Sequence, residues 1–405
     1  MESILSSVED TLLGSLSYKI DPKSGSSYVT EKKSVTYFAS GSNIYSPETG
    51  AKVLRFNVAS DQFIDLSSIV VSVNVSVGTT GIATPLVNAG HGLFNRLRWI
   101  VSGVVVEDIE HFGTASQLFH SFLSGENKEN VEICGFGHTP IPALGSRQVL
   151  MFPKISGLCN QNLWLPGFAL GASGAVLELH IAEGIECFQS GIGQNTQYAL
   201  SDCRLLADVY TLSNELHNTF SQHILSGKSL VFPIKTLVNT QFQVSSATPS
   251  FTISLQRAFS RLNSAFLVMH ATPTATARDV NNFIMSGIPE AVSGRLTCGS
   301  KQYPDGHPIT GVTQFFMRLL QTLGVVHSGS HALDVTRESF ETSQFCAAFD
   351  LEKVASSTGS GLNASRGEAI TLDVKGLGNT HVRALVLCHA DLIMELSDQG
   401  CTILQ

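Results

Sequence analysis

Charge is what this sequence is short of. Of its 405 residues only 14% are Asp, Glu, Lys or Arg, against about 25% in ordinary soluble domains. Those residues normally coat an exposed surface. Their deficit predicts that much of the surface is covered by other subunits; the plainer alternative is a monomer coated with Ser, Thr, Asn and Gly. Basic runs are missing too. Lys32-Lys33 is the densest, and the formal net charge is −8. Nucleic-acid affinity rests on phosphate neutralisation, so this balance argues against direct binding of DNA or RNA. No run of 18 apolar residues occurs, so no helical membrane span is expected. Met1-Glu2-Ser3 is acidic and no apolar h-region follows, so no signal peptide is expected, and Glu2 stands where N-myristoylation requires glycine.

No cysteine pair has C-x-x-C spacing. The eight cysteines, at 134, 159, 187, 203, 298, 346, 388 and 401, are scattered through a chain too long to need staples. They read as free, mostly buried thiols in reducing surroundings. Cys346 and Cys388 sit in apolar strands, where cysteine acts as a small hydrophobe. Asn74-Val75-Ser76 and Asn363-Ala364-Ser365 match the glycosylation sequon and, without secretion, are read as chance matches.

Catalytic patterns are missing as well. The sequence has no H-x-H, no H-E-x-x-H, no G-x-S-x-G elbow, no P-loop and no dinucleotide fingerprint after a strand. His327 and His331 are four apart, but Ser328-Gly329-Ser330 between them reads as a loop. His217 and His223, six apart on an expected helix, do not stack. His389 follows Cys388 on a strand and faces the other way. Gly359 and Gly361 lack the helix that would cradle a phosphate. Glu107 and Asp108 are adjacent on a strand and so point to opposite faces, whereas a glycosidase needs two carboxylates on one cleft. Trp99 and Trp164 could stack on a sugar, yet both lie in apolar strand contexts and read as core. The expectation is no catalytic residue, no cofactor site, no metal site and no enzyme.

What is present is β patterning, twice. Val71, Val73, Val75 and Val77 alternate with Ser72, Asn74 and Ser76, and Leu54, Phe56 and Val58 alternate with Val53, Arg55 and Asn57. That is the period of a strand with one apolar face. Arg98 to Gly103 reads as a strand into a turn, followed by Val104 to Ile109 and an amphipathic helix from an N-cap at Thr114 to Leu123. Leu118, Phe119, Phe122 and Leu123 share one face of it. Nearly the same layout returns later: Arg295 to Gly299, a Pro304-Asp305-Gly306 turn, and a helix from Thr313 to Leu323. Val176 to Ile181 answers to Ala369 to Val374, Arg204 to Tyr210 to Arg383 to Ala390, and Leu66 to Val77 to Leu262 to His270. A repeat this long means two copies of one β domain rather than a solenoid. The organisation read from it is an arm over 1–45, a first β unit over 46–212, a linker helix within 213–229 and a second unit with a tail over 230–405. The arm would carry one short helix near Ser3 to Leu13. The linker helix would start from Ser213. Ala355 to Gly361 is the most flexible-looking loop.

One block points to a family. Phe94 to Ile109, FNRLRWIVSGVVVEDI, resembles the strand pair F-x-R-h-x-h-h-h-x-G-x-x-h-E-D-I, with h apolar, of major capsid proteins of double jelly-roll viruses, the small polinton-like and virophage-related DNA viruses above all. Val382 to Leu396 resembles their closing strand. Phe345 to Leu351 and Arg366 to Leu372 resemble their paired late strands. The resemblance implies an all-β chain of two tandem eight-stranded jelly rolls with short inserted helices. It implies a homotrimer whose six rolls form a pseudo-hexagonal tile of an icosahedral shell, located in the virion and assembled in the host cell, in cytoplasm or nucleus. Implied partners are further copies of the chain, penton and minor capsid proteins, and a host receptor through the outer loops, with no sequence-specific nucleic-acid binding. The competing expectation is a tandem jelly-roll glycan-binding protein or glycan-cleaving hydrolase, because one fold hosts many functions. A weaker one is a penton, spike or host scaffold protein. Gly103 is expected to need the backbone freedom of glycine.

Overall fold

The computed structural model describes residues 29–48, 50–244, 250–270, 291–326, 333–353, 361–364, 368–376 and 383–404. The expected N-terminal helix, His327, His331, Gly359 and the loop from Ala355 to Ser360 lie outside them.

The first half contains β1 (Val29–Ser40), β2 (Ile44–Tyr45), β3 (Val53–Val58), β4 (Phe63–Val77), β5 (Phe94–Val101), β6 (Val104–Glu110), β7 (Ser146–Met151), β8 (Leu165–Pro166), β9 (Ala175–Ile181) and β10 (Tyr198–Leu212). They form one ten-stranded sheet whose main path falls into two four-stranded runs, with β2 paired to β10 and β8 to β4. One run has the order β1-β10-β4-β7 and the other β3-β9-β5-β6. The runs join at one corner, where Ala39 and Ser40 of β1 pair with Phe56 and Arg55 of β3. Every pairing within these two runs is antiparallel. This is the strand order of a jelly roll. The apolar alternation sets the faces: Leu54, Phe56 and Val58 are fully buried while Val53, Arg55 and Asn57 between them are exposed.

The second half repeats it. Its strands are β11 (Leu230–Gln243), β12 (Ser250–Leu255), β13 (Leu262–His270), β14 (Ser293–Cys298), β15 (Lys301–Tyr303), β16 (Ile309–Thr310), β17 (Cys346–Asp350), β18 (Ile370–Lys375), β19 (Arg383–Ser397) and β20 (Gly400–Leu404). The sheets are β11-β19-β13-β17 and β12-β18-β14-β15, position for position the runs of the first roll. The chain is therefore all-β in class, two tandem jelly rolls with short helices inserted. A helix, Asn214–Leu225, lies between β10 and β11.

Turns and caps follow local chemistry. Ser102 and Gly103 join β5 to β6 with φ of 50° and 82°, the two positive values of a type I′ hairpin turn. Ser102 is held there: its N–H donates to the Gly174 carbonyl and its hydroxyl to the Leu170 carbonyl, both at 3.0 Å. In the second roll Gly299, with φ 58°, occupies the matching turn. All eight cysteines are free, and seven of them are buried.

Three expectations are corrected. The residues assigned to an arm, 1–45, include β1 and β2. Glu31-Lys32-Lys33 disguised β1, whose outer half is exposed; main-chain pairing to β10 along Val29 to Phe38 forms it. The first helix spans Phe112–Ser121, two residues before the expected Thr114 cap, because Phe112 is anchored in the core. The second spans Gly311–Thr322, with Thr310 as cap. Gln314 Oε1 accepts from the Thr310 N–H at 3.0 Å, fixing that earlier start.

The two rolls pack as one body. Their buried apolar residues form one continuous cluster. All nine residues of β13 are buried, which an antiparallel sheet shows only where both faces are covered. Part of that cover comes from the first roll. Phe119 of the first helix meets Phe266 edge-on at 5.6 Å and stacks on His389 of β19 at 5.5 Å. The apolar stripe of that helix is thus divided. Leu118 and Phe122 enter the core of the first roll, while Phe119 and Leu123, one residue further round, face the junction.

Candidate functional site

The residues singled out in the sequence do not converge. Trp99 is fully buried in β5. Trp164 is half-buried and lies flat on Tyr210, with ring centroids 4.0 Å apart at 4°. His217 packs on the rings of Phe63 and Phe168, and no ring contact joins it to His223. Among the described residues no group of three or more His, Cys, Asp or Glu could hold a metal ion, and no helix is long and apolar enough to cross a membrane. Glu107 and Asp108 do point opposite ways. Asp108 takes a forked pair of 2.7 Å hydrogen bonds from Arg96. It joins a ladder across the outer face of β3, β9, β5 and β6, in which Arg55 and Arg98 both reach Glu178.

Glu107 faces inward and marks the junction of the rolls. Its Oε2 accepts from the Ser156 hydroxyl at 2.5 Å, and its Oε1 from the Gly157 N–H at 2.7 Å. Oε1 also accepts from the Thr236 hydroxyl at 3.3 Å, across the junction on β11. Beside it the Asn239 side chain donates to the Glu110 carbonyl at 2.5 Å. Burial raises the Glu107 carboxyl above its usual range, against the pull of these donors. The contact is possible because Gly157 has no side chain: a Cβ there would collide with the Lys235 carbonyl and the Ile234 side chain. Glu107→Ala strips several buried donors of their acceptor. A loss of about 3 kcal/mol is expected, read as a lower urea midpoint; an unchanged midpoint would show the carboxylate to be dispensable.

Next to this pin the junction holds a half-open cavity of about 310 Å³. Phe119, Leu123, Val131, Phe152 and Ile155 supply apolar wall. His91, His120 and His389 turn imidazoles toward it, and Lys154 and Lys235 stand at its edge. His91 Nε2 lies 3.0 Å from Gln117 Oε1, and His120 Nε2 3.2 Å from Glu132. Burial pushes His91 down to about 3 and His389 down to about 4, and lowers His120. Sequence reasoning missed His91, His120, Lys154, Lys235, Gly157 and Thr236. Nothing local marks them, since their meeting depends on how the rolls dock.

A second feature lies at one end of the first roll. Ile82 bonds through its N–H to the Gly193 carbonyl, Ala83 pairs with Ile141, and the Leu144 N–H reaches Gly78. Three loops are thereby gathered, and they present aliphatic side chains to solvent: Ile192 is 84% exposed, Leu144 75% and Ile82 41%.

No protein-family model matches this chain, and no curated protein matches it. Solved structures do. PBCV-1 VP54, as a crystal structure fitted into a reconstruction of the virophage Sputnik, superposes with a TM-score of 0.68 at 11% identity, over 94% of this chain and 98% of its own. A chain of the PBCV-1 virus capsid gives 0.67 at 11%, with the same coverage. The Faustovirus major capsid protein gives 0.64 at 7%, covering 92% of each chain. What is shared at these identities is the fold, two jelly rolls in tandem along nearly the full length.

Proposed function

We propose that this chain is a major capsid protein, a structural building block that self-assembles without doing chemistry. The observation that carries this reading is the extent of the likeness: it runs over 94% of this chain and 98% of PBCV-1 VP54, so the tandem is matched as a unit and not one roll alone. Three copies would place six jelly rolls around a threefold axis, giving a pseudo-hexagonal tile, and tiles would close into an icosahedral shell. A cyclic trimer uses a head-to-tail interface that closes on itself. Such obligate interfaces bury on the order of thousands of Å² and are apolar. The low charged content and the exposed Ile82, Leu144 and Ile192 supply surface of that kind. The virion is the location this role requires. Penton and minor shell proteins would be the further partners, with the genome held by confinement rather than by a basic groove.

Size-exclusion chromatography with light scattering, and negative-stain microscopy of the same peak, test this. A mass near three chains with hexagonal outlines, or closed particles, is expected. A clean monomer near 43.4 kDa would overturn it.

A further inference from the structure

The geometry points to the cavity between the two rolls as a binding site for a small single-chain anionic amphiphile, a molecule of the fatty-acid class. Three observations converge. The wall is apolar and aromatic, built by Phe119, Leu123, Val131, Phe152 and Ile155. The charged residues of the lining are both cations, Lys154 and Lys235; no Asp or Glu lines it. Lys154 has no carboxylate within salt-bridge distance among the described residues, its ammonium resting 5.6 Å over the Phe152 ring. Among the described residues Lys235 has only a loose pair, 3.8 Å from Glu352. An apolar chamber edged by two under-neutralised ammonium groups suits an acyl chain with its anionic head at the edge.

Size narrows the class. A volume of about 310 Å³ stands at the lower end of the roughly 300–1,000 Å³ of small-molecule sites, which suits a single acyl chain better than a two-chain lipid. The imidazoles suit this occupant. Held neutral by burial, His91 and His389 bring hydrogen-bonding capacity without charge. The site also has a physical consequence. Phe119 and Phe152 belong to the first roll, and Lys235 and His389 to the second, so an occupant would touch both and favour their docked arrangement.

The test is calorimetric titration of the full chain with sodium decanoate below its micelle concentration, beside decanol and sodium acetate. Decanoate is expected to bind at least about tenfold more tightly than decanol, since a charge-assisted hydrogen bond contributes about 1.5 kcal/mol or more. Acetate, lacking the tail, should give no heat. Lys154→Met, at an exposed position that leaves the fold intact, is expected to weaken decanoate about tenfold and to leave decanol unchanged. Equal binding of decanoate and decanol would overturn the anionic head, and equal binding by wild type and Lys154→Met would overturn the site. Retention on phosphatidylglycerol vesicles without decanoate heat would move the anion to a membrane surface and equally refute the cavity. None of these outcomes depends on whether shells form.

Discussion

Gly157→Ala is expected to lower stability by about 4 kcal/mol, one methyl group doing as much as the loss of a large core side chain. The residue lies in the first roll against the backbone of β11 in the second. Its φ is not in the left-handed region, so alanine suits the backbone itself and only space forbids it. The added Cβ would fall on the Lys235 carbonyl and on Ile234. A main-chain carbonyl within a strand cannot swing aside as a side-chain tip can, so the rolls must separate. Overpacking of this kind costs about 1–3 kcal/mol. Separation also breaks the bond from the Gly157 N–H to Glu107, leaving a buried acceptor short of a donor for another ~1–3 kcal/mol. Urea unfolding followed by the buried Trp99 reads the loss. Gly125→Ala is the control. Its nearest neighbour would be the Asp334 carboxylate at an ordinary 3.8 Å, and a change within about 0.5 kcal/mol is expected. Equal midpoints for the two variants would mean that the rolls do not dock as described.

Acidification is expected to have an effect of similar size. His91 and His389 fall to about 3 and about 4 in the folded chain, from about 6.5 when unfolded. Burial is the main cause for both; His120 adds to it for His91 and Lys235 for His389, while Gln117 and Asp391 oppose. The sign follows from proton counts. Above pH 6.5 both rings are neutral in either state and neither contributes. Below it the unfolded chain binds protons that the folded chain refuses, so stability falls, and it keeps falling until the folded values are reached. At pH 5 each histidine costs about 2 kcal/mol, taking 1.36 kcal/mol per pH unit. Glu107 works the other way. Its raised carboxyl takes up a proton in the folded state first, which favours the folded state as pH falls. Comparing wild type with the double variant His91→Gln/His389→Gln cancels that contribution. The difference in unfolding free energy between pH 7 and pH 5 should shrink by about 4 kcal/mol in the double variant. Parallel pH profiles would mean that these rings stay open to water.

Of the residues substituted in these two predictions only His389 was singled out in the sequence, and there only as a strand histidine beside Cys388. Gly157 is one of 35 glycines, and nothing in Ser156-Gly157-Leu158 tells it from a loop glycine. Glu107 sits in the block that resembles capsid proteins, but the block does not say that this carboxylate reaches Thr236, 129 positions away. Phe119 was legible as an apolar helix residue, yet its neighbour Leu118 carries the same signal and is fully buried in the first roll, while Phe119 faces the junction. β1 was hidden for a related reason. Its partner is β10, far along the chain, and main-chain hydrogen bonds leave no mark on side-chain composition.

By itself the sequence determined most of the elements and their doubling, β1 excepted. Period-two alternation in β3 and β4, the turn at Ser102-Gly103 and the order of strands around each helix are local features, set by which side chains can share a face and which residues accept a positive φ. That is why the repeat could be read and the double jelly roll anticipated from it and from the block at Phe94 to Ile109. Only the tertiary structure decided how one roll sits on the other, and with it the buried carboxylate, the glycine beneath Lys235, the neutral histidines and the cavity they border. Those properties belong to surfaces that meet. Burial, pKa and cavity volume depend on what lies across the contact, and a linear pattern of residues carries no information about that.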